Sequence, residues 1–170
     1  LVITDLSMPR SDGFDVLRGL LALQLKQRIA ATNCSGLSGF VPGEQVAIAL
    51  DVAASEFGRA GHYRPGLELR ELDSAGLIEL LLRWIERYPI VSIEDPLAED
   101  DLVGFARFTR AVGGKLQIVG DDLLVSHAPR VREAAAAGAA NCVLLKPNQR
   151  GTLSETLAAW RAATELGFAG

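Results

Sequence analysis

The stretch YPIVSIEDPLAEDD (residues 88–101) runs an apolar segment directly into five carboxylates, Glu94, Asp95, Glu99, Asp100 and Asp101, within eight positions. The apolar part has the length and β-branched character of one buried strand, and the acids gather at its carboxyl end. Three other short runs share this design: VAIALD (46–51), LQIVGDD (116–122) and NCVLLK (141–146) each end in a charged residue. Between and after them lie helical patterns, SAGLIELLLRWIERY (74–88), LVGFARFTRAVG (102–113), APRVREAAAAGA (128–139) and TLSETLAAWRAATELG (152–167). Strand and helix alternate, and the strands are apolar on both faces. That pattern predicts a parallel sheet covered by helices. Local chemistry agrees: Asp73 or Ser74 can cap the first helix, Pro129 opens the third, and Gly113, Gly138 and Gly167 fall at helix ends.

The chain has 170 residues, the size of one ordinary domain, with 49% hydrophobic and 22% charged residues and a net charge of −4. An isoelectric point near 5.2 without a Lys/Arg cluster argues against nucleic-acid or membrane-surface partners. Cys34 and Cys142 are too few and too far apart for a disulfide framework or a zinc site, so both read as free thiols. No apolar run reaches membrane-spanning length, and the N-terminus lacks a secretory pattern, which gives a soluble cytoplasmic protein as the expectation. A first residue of Leu rather than Met suggests a fragment or a processed chain. Residues 1–32 repeat the βα rhythm with LVITD (1–5), GFDVLRGLLALQLKQ (13–27) and RIAAT (28–32). The Gly/Ser-rich NCSGLSGFVPGEQ (33–45) reads as a linker, dividing the chain into 1–38 and 39–170.

Asp51, Glu94, Asp121 and Lys146 share one position type, the carboxyl end of a predicted parallel strand. Side chains at that end project into the active-site crevice of α/β barrels and open α/β sheets. A single strand-end Asp ordinarily caps a helix or makes a structural ion pair, but four charged residues at successive strand ends indicate a site. Three converging carboxylates form a hard-oxygen cluster that requires a counter-ion, and Mg²⁺ suits it. A lysine beside that metal is expected to have its pKa lowered toward neutrality and to serve as a proton-abstracting base. These residues alone predict a divalent-metal lyase or isomerase. Glu99, Asp100 and Asp101 instead precede a helix and read as first-turn acids that favour its N-terminal dipole. Asp95, next to Pro96, fits either role.

The segments IALDVAASEF, YPIVSIEDPLAEDD, QIVGDDLLV and LLKPNQRGTLSET resemble the enolase (phosphopyruvate hydratase) family in its bacterial form, from about Phe40 to Gly170. The resemblance implies a (β/α)₈-type barrel that dehydrates 2-phospho-D-glycerate to phosphoenolpyruvate with Mg²⁺, a glycolytic step. It further implies that Asp51, Glu94 and Asp121 bind the metal, that Glu94, Asp121 and Lys146 face the substrate, and that Lys146 is the base. A Lys base with Mg²⁺ stabilising an ene-diolate is this family's known arrangement. Departures accompany the likeness. The chain ends at ELGFAG, before the family's SHRSGE motif, and the segments bearing the N-terminal cap and the catalytic acid are unmatched. About four barrel strands remain, the third to the sixth, and the expected chain is incomplete as a catalyst on its own. Leu102, His127 and Arg150 stand where the family usually has Trp, Asn and Ile. Residues 1–35 resemble part of a response-regulator receiver, with Asp5 in the phosphoacceptor position and Thr32 as the switch hydroxyl, which implies a signalling module as an alternative. A non-catalytic fusion or remnant that keeps the Mg²⁺ ligands is the other. Open strand edges are expected to be covered by the receiver-like strands (1–5 and 28–32) or by half-barrel pairing into a homodimer.

Overall fold

A computed structural model describes residues 2–5, 47–65, 71–112 and 114–170, the first of these as backbone only. The predicted helix at 13–27, the strand at 28–32, the linker, Thr32, Cys34 and Gly113 lie outside the described residues. The elements in chain order are β1 (Val2–Asp5), β2 (Ile48–Asp51), a 3₁₀ turn (Ala54–Glu56), β3 (Gly58–Arg59), β4 (His62–Tyr63), β5 (Leu72–Asp73), α1 (Ser74–Arg87) and β6 (Ile90–Glu94). They continue with α2 (Leu102–Val112), β7 (Gln117–Gly120), α3 (Ala128–Ala137), β8 (Cys142–Val143), α4 (Pro147–Arg150) and α5 (Leu153–Glu165).

The main sheet has five strands in the order β1-β2-β6-β7-β8, every pair parallel. The four strands read from the sequence are neighbours in chain order, each joined to the next through a helical crossover, as in one sector of a (β/α)₈ barrel. The sheet is not closed on itself among the described residues. β1 lies on the outer edge beside β2, with Asp5 level with Asp51 and Asp51 level with Glu94. At the other edge, Cys142 bridges to Ala169 in the parallel sense.

Side-chain spacing explains the helices. α1 buries Leu77, Ile78, Leu80 and Leu81, one face at the helical period, and Asp73 caps it by accepting the Gly76 N–H at 2.8 Å. α2 buries Gly104, Phe105, Phe108 and Val112. Both phenylalanines are fully buried, and each such ring contributes about 1.5–3 kcal/mol through area removed from water. α3 carries a Pro in its first turn and ends at Gly138 in the left-handed conformation, φ 64°. α5 is capped by Thr152, whose Oγ1 accepts the Glu155 N–H, and it packs small residues, Ala159, Ala162 and Ala163, towards α3. No helix of the described residues is long and apolar enough to cross a membrane.

One feature was not predicted. A small antiparallel sheet, β3-β4-β5, is inserted between β2 and α1. Its hairpin turns at Ala60 and Gly61, both with positive φ (51° and 75°), as two-residue loops that match strand twist require. The acids after β6 clamp this hairpin down. Asp100 accepts the Ala60 N–H at 3.0 and 3.2 Å. Asp101 caps α2 through the Gly104 N–H at 2.8 Å, as the sequence suggested, and also accepts the hydroxyls of Tyr63 (2.8 Å) and Ser74 (2.5 Å). Tyr63 is fully buried and its oxygen accepts the Ala98 N–H at 3.1 Å. Burial and its acidic neighbours raise its pKa, so it stays a neutral donor.

Candidate functional site

Asp51 and Glu94 are the last residues of β2 and β6 and stand opposite each other in the register. Asp121 follows Gly120, the end of β7, and Lys146 lies three residues beyond Val143, the end of β8. All four predicted residues thus fall at one end of one parallel sheet. Backbone hydrogen bonds continue the strand pairing past that end: Val52 N–H to Glu94 C=O (3.0 Å), Ala54 N–H to Asp95 C=O (3.2 Å), Asp95 N–H to Val119 C=O (3.0 Å) and Leu144 N–H to Gly120 C=O (3.2 Å). The loops carrying the acids are therefore fixed to the sheet.

Asp121 is buried at 7% exposure and fully engaged. One carboxylate oxygen pairs with Lys146 Nζ, and the other accepts Gln149 Nε2–H at 2.7 Å. Gln149 Oε1 in turn accepts the Ser126 hydroxyl at 2.9 Å, and Ser126 Oγ accepts the backbone N–H of Lys146 at 2.8 Å. Ser126 and Val125 hold positive φ (51° and 41°), which for the β-branched Val is a strained state maintained by its surroundings. Asp51 Oδ1 accepts the Ala53 N–H at 3.0 Å. Ser126 and Gln149 were not singled out from sequence. Gln149 could have been, since it lies three residues from Lys146, one helical turn along LKPNQ.

Charge crowding is evident in the proton affinities. Burial pushes the Glu94 carboxyl up to about 7, with the Asp51 and Asp121 charges adding to the effect. Asp95 is also raised to about 7 by burial, against the pull of two backbone N–H groups that favour its charged form. Lys146 has only carboxylates for charged neighbours among these residues. It is held above its ordinary value, first because it donates to Asp121 and then because Asp121 and Glu94 are negative. The expected lowering needs a neighbouring cation; carboxylates alone stabilise the ammonium.

Ligand oxygens of Glu94, Asp95 and Asp121 lie within 4.8 Å of one another, a donor set of hard oxygens that fits a divalent cation such as Mg²⁺. This grouping contains two of the three predicted ligands and substitutes Asp95 for Asp51. Asp51 remains near enough to raise Glu94. Arg150, one of the departures near the base, turns to Glu155 on α5 at 3.1 Å; the Thr152 hydroxyl first, then Arg150 and to a lesser extent His127, hold the Glu155 carboxyl below its ordinary range. Leu102 packs partly buried against the core. Asp5 contributes a backbone position at the same sheet end, on the edge strand.

A parallel βα barrel sector with acids and a lysine at its strand ends defines a class, and the comparisons name it. The family described as enolase, C-terminal TIM barrel domain, matches residues 23–170, and the chain belongs to the enolase family. It is 48% identical over 133 residues to the enolase of Thermococcus gammatolerans, an alignment covering 77% of this chain and 30% of that relative. The chain thus spans under a third of the length of the curated relative it matches.

Proposed function

We propose that this segment supplies the metal- and base-bearing part of an enolase-type lyase site, acting on 2-phospho-D-glycerate to form phosphoenolpyruvate in glycolysis. Supporting this reading above all is the meeting of Glu94, Asp121 and Lys146 at one sheet end, with Lys146 paired to Asp121 and Glu94 under carboxylate crowding. Asp51, Glu94 and Asp121 would hold Mg²⁺, which when bound stabilises the negative charge that develops on a substrate carboxylate.

Lys146 Nζ is the base. As the free amine it takes the proton from the carbon α to the carboxylate. Asp121 holds it as an ammonium, so the base is released only when Asp121 engages elsewhere. Ser126 fixes the Lys146 backbone, and Gln149 fixes Asp121, so the base and its partner are kept in register. The acid that protonates the departing hydroxyl is not one of these residues.

Absorbance of phosphoenolpyruvate, with 2-phosphoglycerate and Mg²⁺ supplied, tests the proposal. Turnover abolished by Lys146→Ala supports it. Saturable Mg²⁺ binding weakened by Glu94→Gln, without turnover by the chain, favours a second reading: a non-catalytic α/β protein that keeps the metal ligands. A cytoplasmic setting follows from the glycolytic proposal. Self-association into a homodimer is proposed from the exposed Leu153, Leu157 and Trp160 along α5; a monomer in sedimentation would exclude it.

A further inference from the structure

Resting on the metal-site reading above, we propose that Asp95 is a positioning residue that braces Asp121 and is not itself a metal ligand. Proximity alone places its carboxylate among the candidate donors, yet its hydrogen bonds assign it differently. One oxygen accepts the Asp121 N–H at 3.1 Å and the other accepts the Asp122 N–H at 2.8 Å. Both oxygens are thereby held by main-chain donors of the loop that carries Asp121, whereas the Asp121 carboxylate is met by side chains, Lys146 and Gln149, that can turn away to admit a cation. The main chain of Asp95 is equally committed, its N–H to Val119 C=O on β7 and its C=O to the Ala54 N–H after β2. One residue therefore ties together the carboxyl ends of β2, β6 and β7, the strands that present Asp51, Glu94 and Asp121.

Its conformation supports the assignment. Asp95 adopts φ 39° immediately before Pro96, a backbone state that a non-glycine residue holds only when its surroundings impose it. It is 3% exposed, whereas Glu94 beside it is only half-buried and Asp51 also reaches solvent. A residue turned inward to two N–H donors fits the role of an outer partner that orients a ligand, and such partners typically set about 10–100-fold in metal affinity.

The wild-type chain gives a test that needs no variant. Through-hydrogen-bond couplings from the Asp121 and Asp122 amides to the Asp95 carboxyl carbon, measured by NMR with and without Mg²⁺, are expected in both states. Loss of either coupling on adding Mg²⁺ would make Asp95 a ligand and overturn the proposal, as would absence of both from the start. Asp95→Asn, which sets its amide N–H₂ against one of the two N–H donors, is expected to weaken Mg²⁺ binding by about 10–100-fold. The number of water molecules on bound Mn²⁺, read by relaxation, should stay unchanged, whereas Asp51→Asn, a ligand change, should alter it. Unaltered affinity in Asp95→Asn, or one added water, overturns the brace. If the wild type takes up no Mg²⁺ while both couplings are present, the metal reading fails and the brace of Asp121 stands.

Discussion

Lowering the pH should dissociate the metal, and Glu94 sets where. Its carboxyl is pushed up to about 7, first by burial and then by the charges of Asp51 and Asp121. A proton on Glu94 must leave before the oxygen can bind a cation, so the apparent dissociation constant scales as 1 + 10^(pKa − pH). Relative to the alkaline limit, Mg²⁺ binding is then weaker by about 2-fold at pH 7, about 10-fold at pH 6 and about 100-fold at pH 5. Asp95 is raised to about 7 as well, and the two carboxyls titrate as a coupled set. If Asp95 were a ligand too, two protons would have to leave and the slope would approach about 100-fold per pH unit. As a brace it leaves the slope near one proton. Calorimetric titration of Mg²⁺ into the chain between about pH 5 and pH 8, in buffers of different ionisation enthalpy, reads both the affinity and the protons released. A dissociation constant that stays level across that window would refute the reasoning.

Further outcomes follow from the same geometry. Asp101→Ala removes the acceptor of Tyr63, Ser74 and Gly104, so urea unfolding should show a loss of about 3 kcal/mol, and Asp101→Asn, which keeps an acceptor for Gly104, about 1 kcal/mol. Gly58→Ala puts a methyl 2.1 Å from the Tyr63 ring and 2.9 Å from the Ala54 carbonyl oxygen, and overpacking should cost about 1–3 kcal/mol by the same assay. Without metal, Glu94 and Asp95 bind protons more tightly folded than unfolded. The native state therefore carries the extra protons between about pH 4 and pH 7, and the urea midpoint should fall as pH rises through that window and level off above it. Glu94→Gln should flatten part of that fall.

The parallel sheet was legible because short runs holding the buried Ile48, Leu50, Ile93, Ile118 and Val119 alternate with capped helices. The insert β3-β4-β5 was not, because two-residue strands are too short to show a period; only the Ala60-Gly61 turn marked it. Predicted strands also came out shorter than their apolar runs: NCVLLK contributes only Cys142 and Val143, because Leu144 to Lys146 turn into the α4 cap. At the site, residue type and strand-end position indicated Asp51, Glu94, Asp121 and Lys146. The roles of Asp95, Ser126 and Gln149 depend on hydrogen bonds between loops 20 or more residues apart, which no local pattern records. The direct pairing of Lys146 with Asp121, which holds the ammonium in the absence of a cation, likewise exists only in the fold.

Whether Lys146 is a base facing a metal-held carboxylate is tested most directly by proton exchange. In D₂O with Mg²⁺, the NMR signal of the hydrogen α to the carboxylate of 2-phosphoglycerate should decay in the presence of the wild-type chain. It should persist with Lys146→Ala and slow sharply with Glu94→Gln. A wild-type chain that saturates with Mg²⁺ and leaves that hydrogen at the buffer's own exchange rate would contradict the account.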